Sequence, residues 1–126
     1  MHQASIEQAE RAGVDVIAFP EMSLSGYGNP ELYPQAVISC SHPAVTDITR
    51  ATARTGITAL VGVQERNPAG KPFITQLVIQ DGSLAGSYRK VNIAEEEREF
   101  FALGSDTPLF DHAGVPFGVA VCADVG

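Results

Sequence analysis

Three side chains of different chemistry stand just past short apolar runs. Glu21 follows VIAFP, Lys90 follows SLAGSYR, and Cys122 follows FGVAV. In α/β proteins the strand ends are where binding and catalytic groups are commonly built. A carboxylate, an ammonium and a thiol gathered there would make a nucleophilic site. The thiol has to lose its proton before it attacks. A carboxylate in a partly dry pocket can take that proton. A lysine can stabilise the thiolate and then the oxyanion of a tetrahedral intermediate. Each residue also has a plainer reading: a solvated loop charge for Glu21, a surface charge for Lys90, a small core residue for Cys122. Strand-end position alone favours the plainer readings. Lysine is scarce, however, and the other one, Lys71, sits in the turn NPAGKP.

The elements that would position these groups follow from pattern. The first dozen residues place Ile6, Ala9 and Ala12 at helical spacing, with Gly13 as the stop. VDVIAF at 14–19 predicts a buried strand ended by Pro20, and residues 21–40 read mostly as loop. A second helix begins near Ser41 or Pro43, carries Val45, Ile48 and Ala51 on one side, and closes at Gly56. Strands are expected at 57–65, at 73–80 and, after a tight Asp81-Gly82 turn, in SLAGSYR. EEEREFFA at 95–102 reads as a short helix. Two strands are expected around Ala113-Gly114, the second finishing near Cys122. The order predicts an α/β layered domain with a mixed sheet and no internal boundary.

Composition narrows the function classes. The 126 residues and 13.3 kDa suit one domain or part of one, and 44% hydrophobic residues suit a real core. Fifteen acidic against eight basic residues give a charge of -7, with no basic stripe for nucleic acid or an anionic membrane. No apolar run approaches the ~20 residues of a membrane span, and MHQASIEQAERAG does not read as a signal peptide. Cys40 and Cys122 do not make a disulfide framework, so a reducing, cytoplasmic location is the simplest reading. Gly26-Tyr27-Gly28 fails the dinucleotide fingerprint because Glu31 stands where its last glycine belongs. His2, His42 and His112 are scattered, and Cys40-Ser41-His42 lacks further ligands at metal spacing, so neither a metal nor an organic cofactor is expected.

Longer motifs carry more weight than single positions. VDVIAFPEMSLSGY, YRKVNIAEEEREFFALG and GVPFGVAVCAD occur in that order. Together they resemble the three motifs of the nitrilase superfamily, the carbon–nitrogen hydrolases, over about residues 4–125. The resemblance implies Glu21 as general base, Lys90 as the lysine and Cys122 as nucleophile. It also implies a supporting glutamate four residues before a Phe-x-x-Gly frame. Phe101 and Gly104 supply that frame and put the glutamate at Glu97. The plainer reading, a solvated acidic face, competes for Glu95, Glu96, Glu97 and Glu99. Tyr27 is a candidate pocket residue or a packing aromatic, and Asp124 a pocket residue or, preferably, a brace. Asn92 and Leu103 depart from the family's usual His and Pro.

The implied fold is an α-β-β-α sandwich of which residues 1–126 would supply a partial domain, truncated at both ends. The implied reaction is hydrolysis of a non-peptide C–N bond in a small linear amide or N-carbamoyl compound. It would pass through a Cys122 thioester, with Lys90 and the Ala123 backbone N–H holding the oxyanion. An acyltransferase is the close variant. The rival from another class is an inactive fragment or interaction module that needs a missing C-terminal half. Substrate identity and homo-oligomerisation are left open.

Overall fold

The computed structural model describes residues 2–26 and 28–121. Helix α1 (His2–Arg11) buries His2, Ile6 and Ala9, one face at helical spacing. It stops where Gly13 takes the left-handed φ of 74°. Helix α2 (Pro43–Thr55) starts with a proline, whose missing N–H costs nothing there. His42 rather than a serine caps it, its Nδ1 accepting the Ala44 N–H at 3.1 Å. Gly56, at φ 73°, ends it and donates to the Thr52 carbonyl. Val45, Ile48 and Ala51 are buried as their spacing predicts.

Strands β1 (Val16–Ala18), β2 (Val37–Ile38), β3 (Thr58–Glu65), β4 (Phe73–Gln80) and β5 (Ser83–Arg89) form one mixed sheet. β1 and β2 both run parallel to β3 along the same edge, β1 beside Thr58–Leu60 and β2 beside Gln64 and Glu65. β3–β4–β5 is an antiparallel meander. Asp81 and Gly82 take φ of 49° and 78°, the two left-handed residues of a tight hairpin turn. Hairpin β6 (Phe110–His112) and β7 (Val115–Phe117) forms a separate small sheet.

Four expectations need correction. β1 is three residues long, and Val16 is 39% exposed rather than buried. Among the described residues the strand is bonded on one side only, to β3, and so leaves its other edge unpaired by a strand. β2 was read as loop, because two apolar residues are too short a run to show a period. The helix at 95–102 is reduced to a 3-10 turn, Glu95–Glu97. Ala94 offers that turn no side-chain cap, and Ala102 is drawn off to pair with Phe73 and donate to the Pro72 carbonyl. The last strand ends at Phe117, and residues 118–121 carry no strand pairing.

Alternation along the strands divides the sheet into two faces. Ala59, Val61, Val63, Leu77 and Ile79 pack under both helices with Ile6, Val45 and Ile48. Side chains of the opposite parity, Leu60, Gly62, Gln64, Ile74, Gln76 and Val78, belong to the other face. There Met22, Ile93 and Phe101 cluster on Ile74. Among the described residues, no helix is long and apolar enough to cross a membrane.

Candidate active site

Between β1 and β2 the chain leaves the sheet and returns, and Glu21 sits on that excursion. The β3 edge left uncovered there still has backbone groups to satisfy. Ser23 Oγ accepts the Gly62 N–H at 3.1 Å and Ser25 Oγ accepts the Gln64 N–H at 2.9 Å. The Leu24 N–H donates to the Gly62 carbonyl at 2.8 Å. Alternate serines in SLS thus replace a neighbouring strand. The turn itself closes with Ser23 N–H to the Pro20 carbonyl, and Met22 takes φ 53°, a rare conformation for a non-glycine residue. Gln76 Nε2 holds the Phe19 carbonyl at 2.8 Å, and Gln64 Nε2 holds the Gly26 and Gly28 carbonyls.

Gly62 is what lets this turn lie against the sheet. A Cβ there would overlap the Met22 backbone nitrogen and come within 2.6 Å of the Pro20 oxygen. A glycine inside an apolar strand is a recognised sign of close backbone approach. That signal, with the buried Gln64 and Gln76, was present in ITALVGVQE and FITQLVIQ and was missed.

Lys90 follows β5 directly, its N–H continuing the ladder to the Ile74 carbonyl. Its side chain is 1% exposed, so the surface-charge reading fails. Burying an ammonium without a counter-charge is prohibitive. Lys90 Nζ donates to Glu21 Oε1 at 3.0 Å, and Glu97 Oε1 lies 3.9 Å away. Glu21 is itself only 7% exposed. Gly104 locks the chain behind the lysine: its N–H donates to the Lys90 carbonyl, and a Cβ there would overlap the Arg89 carbonyl oxygen. The Phe-x-x-Gly frame is therefore a packing requirement, kept although Leu103 precedes the glycine.

Glu97 is partly buried, 28% exposed, while Glu95, Glu96 and Glu99 are exposed. The solvated-face reading holds for those three and fails for Glu97. Burial pushes the Glu97 carboxyl above its ordinary value; Lys90 pulls it down, and Glu21 and Glu96 push it further up. One ammonium between two carboxylates leaves a surplus negative charge, which uptake of a proton by Glu97 would relieve.

The structure brings Glu21, Lys90 and Glu97 into one cluster. Cys122, Ala123, Asp124 and Tyr27 lie outside the described residues. A cleft opens at Glu21, lined also by Phe19, Leu60, Gln76, Val119 and Val121. Val121 is the residue before Cys122. The remaining polar candidates lie elsewhere. Cys40 packs against the helix-side core, where burial raises its thiol. His112 bonds Thr58, and Lys71 donates to the Arg98 carbonyl. Among the described residues no cluster of His, Cys, Asp and Glu could hold a metal.

A mixed sheet with two helices packed on one face, together with a buried Lys90 between Glu21 and Glu97, defines an α/β protein with a charged buried cluster. The carbon–nitrogen hydrolase family model matches residues 1–126, and the chain belongs to that family, within the nitrilase superfamily. It is 34% identical over 131 residues to a glutamine-dependent NAD(+) synthetase of Xylella fastidiosa, covering 97% of this chain and 23% of that protein. It is 31% identical over 114 residues to "Probable nitrilase C965.09" of Schizosaccharomyces pombe, covering 87% of this chain and 42% of that protein. The fold matches the solved CN-hydrolase superfamily protein XC1258 of Xanthomonas campestris with a TM-score of 0.81. Identity is 22%, covering 98% of this chain and 48% of that one. The chain thus spans less than half the length of these relatives.

Proposed function

We propose that the protein carrying this chain hydrolyses a non-peptide C–N bond in a small linear amide or N-carbamoyl compound. Glu21 takes the Cys122 proton, and the thiolate attacks the carbonyl carbon. The Lys90 ammonium and the Ala123 N–H hold the oxyanion. Collapse of the intermediate breaks the C–N bond, and Glu21 returns the proton to the departing amine. Glu21 then takes a proton from water, the hydroxide attacks the thioester, and acid product and thiol are released. Lys90 stays protonated throughout, held by Glu21 and Glu97. A reducing, cytoplasmic setting belongs to this reading, since the thiol has to stay free.

The observation that carries the proposal is the burial of Lys90 between Glu21 at 3.0 Å and Glu97 at 3.9 Å, with Glu21 also lining a cleft. A purely structural lysine has little reason to be buried with two carboxylates. The 34%-identical relative is named for glutamine dependence, which puts glutamine, a primary amide, first among substrates to try.

Iodoacetamide labelling read by peptide mass tests the site without a known substrate. Cys40 serves as the internal reference. Cys122 is expected to react faster than Cys40 near neutral pH and to lose that advantage in Glu21→Gln. Equal rates for both cysteines, unchanged by the mutation, would refute the assembled site. A panel of glutamine, short aliphatic amides and N-carbamoyl amino acids then tests the chemistry.

A further inference from the structure

We infer that His2 is a positioning residue for Glu21: its imidazole reaches from α1 to Ser23 and holds the turn that carries the carboxylate, and protonation of the ring loosens that hold. The inference rests on the reading of Glu21 as the base. His2 is buried, with its ring tilted against Phe19 at a centroid distance of 4.4 Å. Its Nε2 lies 3.2 Å from Ser23 Oγ. Phe19 and Ser23 flank the Pro20-Glu21-Met22 corner, so the imidazole grips both sides of it.

Hydrogen-bond accounting makes the contact sensitive to charge. Ser23 Oγ already accepts the Gly62 N–H at 3.1 Å. A hydroxyl has one proton to give, and neutral imidazole with its proton on Nδ1 offers Nε2 as the acceptor. All three groups are then satisfied in a line from Gly62 through Ser23 to His2. A protonated ring has only donors. Nε2–H must then use the second lone pair of the Ser23 oxygen, so the hydroxyl has to turn away and the Ser23 O–H loses its acceptor. The turn has little slack, because Met22 is already at φ 53° and the backbone lies hard against Gly62.

Phe19 and Ser23, which contact the ring, are uncharged. The Glu21 carboxylate beside the turn is engaged by Lys90. Burial lowers the ring's affinity for a proton. A group whose folded value is depressed contributes stability above its ordinary value of about 6.5, lost as pH falls through the folded value. The release therefore falls on the acid side of neutrality.

The test is a pH titration of the full chain by NMR, following the His2 ring and the Ser23 and Gly62 amides. Cys122 alkylation relative to Cys40 is measured alongside in wild type, His2→Gln, His2→Phe and Glu21→Gln. The two amides are expected to shift with the His2 midpoint, and the alkylation ratio to fall on the same midpoint. Both transitions should vanish in His2→Gln, which keeps an acceptor and cannot titrate. His2→Phe should lower the ratio by about three- to tenfold above the His2 midpoint, the worth of one hydrogen bond, and approach wild type below it. Amides that ignore the His2 titration, or a His2→Phe ratio equal to wild type above that midpoint, overturn the inference. Should Glu21→Gln leave the ratio unchanged, the assignment of the base fails, and the amide shifts alone still decide whether His2 braces the turn. If His2→Phe does not fold, His2→Gln and the titration decide.

Discussion

Replacing Gly62 by alanine should disturb Glu21, the proposed base, without touching its side chain. The added Cβ would overlap the Met22 nitrogen and lie 2.6 Å from the Pro20 oxygen and 2.9 Å from the Glu21 carbonyl carbon. All three are backbone atoms, so no rotamer change relieves the clash. The turn would have to retreat by about 1 Å, an overpacking that costs about 1–3 kcal/mol. Retreat also stretches the Gly62 N–H to Ser23 and Leu24 N–H to Gly62 bonds, each worth about 1 kcal/mol. The expected destabilisation is therefore about 2–5 kcal/mol. A shift of about 1 Å in a positioned group can cost about 100-fold in rate. Urea unfolding followed by far-ultraviolet circular dichroism measures the first effect, and Cys122 alkylation measures the second. Gly70→Ala is the control, since its Cβ meets nothing within 4 Å; it should stay within about 0.5 kcal/mol of wild type. A Gly62→Ala chain with wild-type midpoint and wild-type Cys122 reactivity would refute the idea that this close approach sets the base.

Lys90→Met keeps the length and removes the charge, leaving Glu21 and Glu97 facing each other; about 3–5 kcal/mol should be lost at neutral pH, partly recovered on acidification, as a series of urea midpoints against pH would show. Glu97 has its carboxyl raised by burial, so the folded state holds a proton that the unfolded chain has released. Stability should accordingly fall as pH rises from the ordinary carboxylate value through the raised one, and Glu97→Gln should flatten that slope; an unchanged slope would count against the burial. Thr58 Oγ1 joins His112 Nδ1 and Gln80 Nε2, so Thr58→Val should cost about 1–3 kcal/mol, read from thermal melting, by removing both hydrogen bonds.

Local pattern was enough for much of this protein. The start of α2 at Pro43 and its end at Gly56, the Asp81-Gly82 turn and the bounds of β4 and β5 follow from spacing and turn chemistry alone. The motif order likewise named Glu21, Lys90 and Glu97 before their proximity was visible. What spacing could not convey is anything set by a neighbour distant in sequence. Lys90 reads as a surface charge until Glu21, 69 residues away, is brought to 3.0 Å. The 95–102 segment has helical composition, yet pairing of Ala102 with Phe73 cuts it to one turn. β1 has a buried strand's composition, but the described sheet leaves it bonded on one side. Gly62, Ser23 and Ser25 look like ordinary strand and loop residues until the β3 edge shows which backbone groups they satisfy. Short-range steric and hydrogen-bond rules act between residues adjacent in the chain, and the sequence therefore determines them by itself. Burial, close backbone approach and charge pairing depend on which segments meet, and only the tertiary structure decides that.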